Sequence, residues 1–207
     1  VYRSENPSFS RLTVIDKVNG GKSDSLNAGI NVSRSKLVVA IDTDSIIESD
    51  SLLKMVKPFL EEKENKVIGT GGVIRIVNSC EVVRGHIKKI HLPSDFLPRL
   101  QVLEYTRAFL LGRMAWSQLD GLMLISGAMG MFDKETVVKA GGYDVKTVGE
   151  DMELVLRMRR YMTDNKQKYE VTYIPDPLCW TEAPSDLRTF SRQRSRWTRG
   201  LIQSLWK

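Results

Sequence analysis

The chain has few cysteines and few histidines, and each scarcity argues against a class of site. Its 207 residues include two cysteines, Cys80 and Cys179, which are far apart and have no Cys-x-x-Cys spacing. This usage argues against a disulfide framework and against a zinc site, and it fits a reducing compartment. The two histidines, His86 and His91, lack a third metal ligand at a suitable spacing, so we expect them at the surface.

The chain also lacks a long apolar run. No stretch approaches the roughly 18 apolar residues that indicate a membrane span, and the first residues do not have the pattern of a signal peptide. We therefore expect this chain to be soluble. It does not begin with Met and it ends within the apolar and basic segment Arg199–Lys207, so we interpret it as a fragment of a longer protein.

The composition is that of a globular protein with a basic excess. Hydrophobic residues make up 42% and charged residues 27% of the chain, and the length favours one domain, residues 1–207. The net charge of +6 is compatible with nucleic acid, an anionic membrane surface or phosphorylated substrates as partners. Much of the excess comes late, from Arg157, Arg159, Arg160, Arg188, Arg192, Arg194, Arg196 and Arg199. For any single arginine of this group, a solvated helix face is the simpler interpretation.

Strand-like runs alternate with helical runs, which predicts an α/β fold with a mostly parallel central sheet flanked by helices. The predicted strands are Leu12–Ile15, Lys36–Ile41, Val67–Val77, Leu122–Phe132 and Val171–Ile174. Helices are predicted to begin near Ser23, Ser49, Asp133, Asp151 and Ser185, and a further one to run through Leu103, Phe109, Leu110 and Met114. We find no internal repeat and no low-complexity linker.

Asp42-Thr43-Asp44 follows a continuous apolar run, as expected at the carboxyl end of a buried strand. Ligands enter open α/β sheets at this end. Two carboxylates one residue apart can hold a hard cation such as magnesium or manganese and leave coordination sites for diphosphate oxygens. A solvated turn with an Asx cap is the alternative, since such triplets are common by chance.

Two later motifs lie on predicted helices. Gly149-Glu150-Asp151 opens a helix, where acidic residues are also favourable for simple electrostatic reasons. Gln193-Arg194-Ser195-Arg196-Trp197 places Gln193, Arg196 and Trp197 on one helix face. Arg196 can form paired hydrogen bonds to diphosphate oxygens, and Trp197 offers a flat surface for a sugar ring. The alternative is an amphipathic helix anchored by one buried tryptophan.

Two glycine-containing segments complete the set. Ser126-Gly127-Ala128 would let the backbone approach a ligand closely, although a bulged strand is an equally good interpretation. Gly20-Gly21-Lys22 has some likeness to a phosphate-binding loop, but Asp16 stands where that motif needs its first glycine. We therefore reject the phosphate-loop interpretation.

Together and in this order, the motifs resemble those of family-2 glycosyltransferases, above all the processive membrane synthases of cellulose, chitin, hyaluronan and poly-N-acetylglucosamine. The likeness runs from about Arg11 to about Gly200. It implies the GT-A type fold of nucleotide-diphospho-sugar transferases and an inverting transfer from a UDP-sugar to a hydroxyl acceptor, such as a growing polysaccharide. It also implies a divalent cation, magnesium or manganese.

The resemblance implies a role for each matching residue. Asp151 would be the general base, although Gly149 stands where the family usually has threonine. Asp44, assisted by Asp42, would hold the metal. The remaining residues divide between donor and acceptor. The donor side would comprise Lys22, Asp42, Asp44 and Arg196, and the acceptor side Ser126, Gly127, Glu150, Gln193 and Trp197.

The resemblance further implies segments outside this chain. We expect additional N-terminal strands, which nothing in the first residues matches, and membrane contact through other segments of a parent protein at the cytoplasmic face of the cell membrane. Two other functions stay open. One is a non-catalytic member that binds sugar nucleotide or serves as a scaffold. The other is a basic nucleic-acid-binding module, which leaves the carboxylate motifs unexplained, so we expect no nucleic-acid partner.

Overall fold

The computed structural model describes residues 1–206 as an α/β fold in which a curled central sheet is flanked by helices. The strands of this part of the chain are β1 (Tyr2–Arg3), β2 (Thr13–Val14), β3 (Leu37–Ile41), β4 (Ile46–Ile47), β5 (Lys66–Ile76), β6 (Glu81–Val83), β7 (His86–Lys89), β8 (Met129–Asp133) and β9 (Tyr169–Thr181). The α-helices are α1 (Lys22–Val32), α2 (Ser51–Leu60), α3 (Phe96–Tyr105), α4 (Arg113–Gln118), α5 (Lys134–Lys139), α6 (Glu150–Asp164) and α7 (Leu187–Leu205). The α/β class predicted from the sequence is confirmed.

The main sheet has the strand order β3-β8-β5-β9-β4. Within the described residues, β5 and β9 form its one parallel pair, whereas β8 is antiparallel to both β3 and β5, and β4 is antiparallel to β9. The prediction of a mostly parallel sheet was therefore wrong. β3, β5 and β9 do run in the same direction, but β8 lies between β3 and β5 and opposes both. Strands buried on both faces are apolar whichever way their neighbours run, so the apolar pattern did not reveal this arrangement.

The glycines of β5 make room for side chains that pack on the sheet. A Cβ atom added at Gly72 would lie 2.2 Å from Cδ1 of Leu178, and one added at Gly69 would lie 2.9 Å from Cδ1 of Ile125. Both neighbouring side chains are buried. These glycines therefore allow close packing at the centre of the sheet, and the strand continues through them.

Two predicted strands have different lengths in the structure. The predicted strand Val171–Ile174 is part of the longer β9. Beyond Ile174, the register of β9 against β5 shifts, so that Pro177 pairs with Val73. The predicted strand Leu122–Phe132 is regular only in β8. Residues 122–128 form no strand, and the Gly127 N–H in this segment donates to the Asp151 carboxylate.

The helix predicted through Phe109 is interrupted by a π-helical segment, Thr106–Gly112, which joins α3 to α4. Tyr105 and Phe109 are both buried, with ring centroids 5.0 Å apart. Leu103 remains exposed. The wider π turn changes which residues face the sheet after α3, a change that a regular helical period does not predict.

The register between β3 and β8 positions the first aspartate motif. Ile41 pairs with Met129, so the chain leaves β3 at Asp42 opposite Ala128. The Asp42 N–H donates a hydrogen bond to the Ala128 carbonyl oxygen at 3.2 Å. Two segments that are far apart in the sequence therefore meet at one edge of the sheet.

The described residues include no helix with both the length and the apolar character needed to cross a membrane.

Candidate active site

Asp151 lies in the first turn of α6, and two backbone N–H groups hold its carboxylate. The Gly127 N–H donates to Oδ2 at 3.1 Å, and the Met152 N–H donates to Oδ1 at 2.8 Å. The first of these bonds joins the Ser126-Gly127-Ala128 segment to the helix that begins with Glu150. Both carboxylate oxygens of Asp151 therefore have a fixed orientation.

Gly127 allows its backbone to approach two charged side chains. A Cβ atom added at this position would lie 2.8 Å from Nζ of Lys22 and 3.6 Å from Oδ2 of Asp151. Next to it, the Ser126 hydroxyl oxygen accepts a hydrogen bond from the Ala128 N–H at 3.3 Å. The small residues of this segment thus bring backbone donors close to charged groups, which larger side chains would prevent.

Lys22, at the start of α1, links two acidic residues from different motifs. Its ammonium nitrogen lies 2.6 Å from Oδ1 of Asp42 and 3.2 Å from Oε1 of Glu150. Burial lowers the pKa of Lys22, but the hydrogen bond and charge of Asp42, together with Glu150, outweigh this effect and raise the pKa overall. The side chain therefore stays positively charged and joins α1, the turn after β3 and α6.

The environment of Asp151 makes its carboxylate a stronger base than a solvated aspartate. Burial raises the pKa of Asp151, and the neighbouring charge of Glu150 raises it further. The N–H groups of Met152 and Gly127 and the charge of Lys22 act in the opposite direction, but the net shift is upward. This combination is common at catalytic acids and bases.

Tyr143 is a residue near the site that the sequence analysis did not single out. Its backbone is held on both sides by Asn27 of α1, which donates from Nδ2 to the Tyr143 carbonyl oxygen at 2.8 Å and accepts from the Tyr143 N–H at 2.7 Å. Burial, and then the charges of Asp151, Glu150 and Asp42, raise the pKa of the Tyr143 phenol. The phenol therefore remains neutral close to three carboxylates.

The fourth motif lies on α7, which crosses the beginning of α6 at a pair of glycines. A Cβ atom added at Gly149 would lie 2.7 Å from Cα of Gly200, and one added at Gly200 would lie equally close to Cα of Gly149. One helical turn further along α7, Gln203 Oε1 accepts a hydrogen bond from the Val148 N–H at 3.1 Å, and Ser204 Oγ lies 3.4 Å from the Gly149 carbonyl oxygen. These contacts explain why glycine is suitable where the family usually has threonine.

The three motif residues of α7 that were assigned to substrate lie one or two turns before this crossing. Arg196 and Trp197 are exposed, the latter to 40% of its surface. Gln193 is half-buried, and its side-chain oxygen has no hydrogen-bond partner within the described chain. No hydrogen bond or ion pair joins these side chains to Lys22 or Asp151 in residues 1–206, and α7 contacts the start of α6 at the glycine crossing.

Arg194, between the motif positions, has a structural role that the sequence did not reveal. Its guanidinium forms a two-pronged ion pair with Glu104 of α3, at 2.7 and 2.5 Å. It also lies over the rings of Trp197 and Phe190, at 4.4 and 4.7 Å from their centroids. Arg194 therefore fixes α7 against α3 and packs on the ring of Trp197. Its partner Glu104 is 90 residues away, so spacing gave no signal.

Asp44 lies outside the contacts that join the other carboxylates. It is exposed in the turn after β3, and the Ser45 N–H closes this turn onto the Asp42 carbonyl oxygen at 3.1 Å. Within residues 1–206, no group of three or more potential ligands is arranged around a metal position. The two carboxylates still offer the hard oxygen donors that magnesium and manganese prefer, with room for oxygens of a substrate.

The arrangement of this sheet and its helices is similar to that of a solved structure. The mannosyltransferase PcManGT from Pyrobaculum calidifontis, solved in complex with GDP-Man and Mn2+, is similar with a TM-score of 0.58 and 18% identity, over 89% of this chain and 42% of that chain. The fold is of the GT-A type. Sequence comparison gives the family: residues 4–200 match the model described as Glycosyltransferase like family 2, and the chain belongs to this family of glycosyltransferases.

Curated relatives are polysaccharide synthases. The chain is 26% identical over 194 residues to the poly-beta-1,6-N-acetyl-D-glucosamine synthase of Staphylococcus epidermidis, covering 92% of this chain and 42% of that protein. It is 29% identical over 184 residues to the synthase of the same name from Staphylococcus aureus strain COL, covering 88% of this chain and 39% of that protein. The chain thus spans about two fifths of the length of these relatives.

Proposed function

We propose that the chain is the catalytic domain of an inverting glycosyltransferase that moves a sugar from a UDP-sugar to a hydroxyl acceptor, with Asp151 as general base. The observation that carries this proposal is the convergence of Asp151, Gly127, Lys22 and Asp42 from four separate segments. The staphylococcal relatives favour a growing polysaccharide as acceptor. The family resemblance of the motifs further leads us to propose a membrane-associated parent protein at the cytoplasmic face.

Asp151 has the fixed orientation that a general base needs. Its two oxygens are held by the Gly127 and Met152 N–H groups, and each oxygen retains a lone pair for an acceptor hydroxyl. The acceptor oxygen would attack the anomeric carbon as its proton moves to the carboxylate. Attack from the side opposite the departing nucleotide breaks the bond to the diphosphate and inverts the anomeric centre.

The donor would be held by charged groups that can face a diphosphate. Lys22 and Arg196 provide positive charge, and Arg196 is free to form paired hydrogen bonds with phosphate oxygens. Asp42 and Asp44 would hold magnesium or manganese, and a cation bound there supplies positive charge that neutralises the departing diphosphate. The acceptor sugar would stack on Trp197 and bond to Gln193, whose side-chain oxygen has no partner in residues 1–206.

The experiment that tests this function is nucleotide release by the full natural protein in membranes. A panel of UDP-sugars is offered with manganese or magnesium, and GDP-mannose is included because the similar mannosyltransferase binds it. We expect release with one UDP-sugar, and we expect Asp151→Asn to lower kcat by about 10²- to 10⁴-fold, because the proton acceptor is lost. Nucleotide binding should persist in the variant.

Asp164→Asn is the matched control, since Asp164 is exposed at the other end of the same helix. It should release nucleotide at the rate of the unchanged protein. Equal activity of Asp151→Asn and the unchanged protein would refute the base assignment. Folded protein that binds UDP but releases none from any sugar would instead favour the non-catalytic function.

A further inference from the structure

Trp180, near the end of β9, donates a hydrogen bond to a carboxylate of another segment. Its indole Nε1 lies 2.6 Å from Oε1 of Glu48, which directly follows β4 and is 132 residues away in the sequence. The indole is buried, and its ring centroid lies 5.5 Å from the guanidinium carbon of Arg75 on β5. Within residues 1–206, the Glu48 side chain takes part in no ion pair. Its bond to the indole is charge-assisted and therefore among the stronger side-chain contacts.

This hydrogen bond lies beside β4, the shortest strand of the main sheet. β4 has two residues and pairs with Trp180 and Cys179 at the edge of the sheet. Just after it, the Glu48 N–H donates to the Leu178 carbonyl oxygen at 3.0 Å. So short a strand forms few backbone hydrogen bonds, because strands usually have at least three residues. The side-chain bond therefore supplies a large share of what joins β4 to β9.

The turn between β3 and β4 crosses from one edge of the main sheet to the other. β3 and β4 are its two outer strands, yet only residues 42–45 separate them. In a flat sheet of five strands, the outer two would be about 19 Å apart. The turn is compact, since the Ser45 N–H donates to the Asp42 carbonyl oxygen at 3.1 Å. The curl of the sheet therefore brings its outer strands together at this turn.

The two carboxylates of this turn are held differently. Asp42 is fixed by its N–H, which donates to the Ala128 carbonyl oxygen at 3.2 Å, and by its ion pair with Lys22 at 2.6 Å. The exposed side chain of Asp44 forms no hydrogen bond or ion pair in the described chain. Asp44 lies two residues before Ile46, the first residue of β4. Its position therefore depends on the attachment of β4 to β9.

We propose that Glu48 and Trp180 are positioning residues that join β4 to β9 and so hold Asp44 at the distance from Asp42 that a shared cation needs. This inference rests on the proposed function, in which the two aspartates hold magnesium or manganese. If β4 separates from β9, Asp42 keeps its contacts with β8 and α1, whereas Asp44 can move. Two ligands act together on one metal only while their relative position is fixed.

The test is the affinity of the full natural protein for UDP, measured by calorimetry with manganese and again with a chelator. The ratio of the two affinities reports the metal-dependent part of binding and needs no turnover. Trp180→Phe keeps an aromatic ring but removes the N–H donor, and Glu48→Ala removes the acceptor. We expect each substitution to lower the ratio on the order of tenfold, as for the loss of one charge-assisted hydrogen bond. Affinity in the chelator should not change.

Conservative and combined variants separate this role from general damage. Glu48→Gln keeps a side-chain oxygen as acceptor and should restore most of the ratio. The double variant Glu48→Ala/Trp180→Phe should lower the ratio no further than either single variant, because both residues act through one bond. Glu61→Ala is the matched control, since Glu61 is exposed at the end of α2, and it should keep the ratio of the unchanged protein.

Two results would overturn the inference. Equal losses of UDP affinity with manganese and with chelator would mean that the pair only stabilises the fold. Unchanged ratios in folded variants would mean that β4 keeps its place without this bond. If Trp180→Phe does not fold, Glu48→Ala provides the test, because its side chain is only half-buried.

The failure of this inference is separable from the failure of the proposed metal site. If the unchanged protein needs manganese to bind UDP tightly and the variants keep its ratio, only the positioning role is refuted. If the unchanged protein binds UDP no better with manganese than with chelator, the proposed metal site is wrong and the role of Glu48 and Trp180 is refuted with it.

Discussion

The two halves of the candidate site differ in how their side chains are held. Around Asp151, the charged groups contact each other or the backbone: Lys22 bridges Asp42 and Glu150, and two N–H groups hold the Asp151 carboxylate. On α7, by contrast, Arg196 and Trp197 are exposed. The side chains of the first half are held by contacts within the protein, whereas those of the second half are exposed and can still form hydrogen bonds or stack on a ligand. Changes in the first should therefore affect mainly the rate of reaction, and changes in the second mainly the affinity for substrate.

The two halves meet where Gly149 crosses Gly200, so the strongest test of the comparison lies there. Gly149→Thr would restore the triplet that the family usually has, but its Cβ would meet backbone atoms of Gly200. We expect a loss of stability of about 1–3 kcal/mol and a fall in kcat/KM on the order of 100-fold, because α7 and the base move apart. Thermal unfolding and nucleotide release measure the two effects.

Val148→Thr is the control for this prediction, because Val148 is the exposed neighbour of Gly149 and its hydrogen bond to α7 is made by the backbone N–H, which the substitution keeps. It should retain activity. If Gly149→Thr is fully active and stable, the contact between Gly149 and Gly200 does not set the position of α7, and the two halves of the site are independent.

A smaller effect is expected from Gly127→Ala, which disturbs the first half alone. The added methyl group would come 2.8 Å from the Lys22 ammonium, so the lysine must shift and its contacts with Asp42 and Glu150 change. We expect kcat to fall on the order of tenfold, with little change in KM. Gly29→Ala, in open space on α1, should leave the rate unchanged. A larger change in KM than in kcat would contradict the division of the site into rate and affinity halves.

An effect of similar size, but on KM, is expected from Arg196→Gln, which tests the second half. Loss of a charge-assisted hydrogen bond to phosphate should raise KM for the donor by roughly tenfold, with a stable fold because Arg196 is exposed. Arg192→Gln, one turn earlier and also exposed, should leave KM unchanged. An effect of Arg196→Gln on kcat alone would place the residue with the chemical step and remove the contrast.

The sequence allowed the α/β class and the position of each carboxylate motif on its element to be predicted, because both depend on local patterns. An apolar run followed by Asp42 indicates the end of a buried strand, and an acidic pair before a helical pattern indicates the first turn of α6. The family resemblance joined these patterns into one site. The contacts of Asp42 with Lys22 and of Asp151 with Gly127 agree with that expectation.

Features that depend on partners distant in the sequence were not predictable from it. The position of β8 between β3 and β5 cannot be seen in the sequence pattern, because strands that are apolar on both faces have the same pattern whichever strand lies beside them. The pairing of Arg194 on α7 with Glu104 on α3 joins two helices that are 90 residues apart in the sequence. The sequence pattern of an arginine that forms an ion pair across the fold is the same as that of an arginine exposed to solvent.

The glycine crossing between α6 and α7 also has an evolutionary consequence. Neither Gly149 nor Gly200 has space for a side chain while the other backbone stays in place. A lineage that acquires threonine at the first position must therefore reposition the second helix, through compensating substitutions along α7. We expect the two positions to change in concert among related synthases, so that they are inherited as one unit although 50 residues of chain separate them.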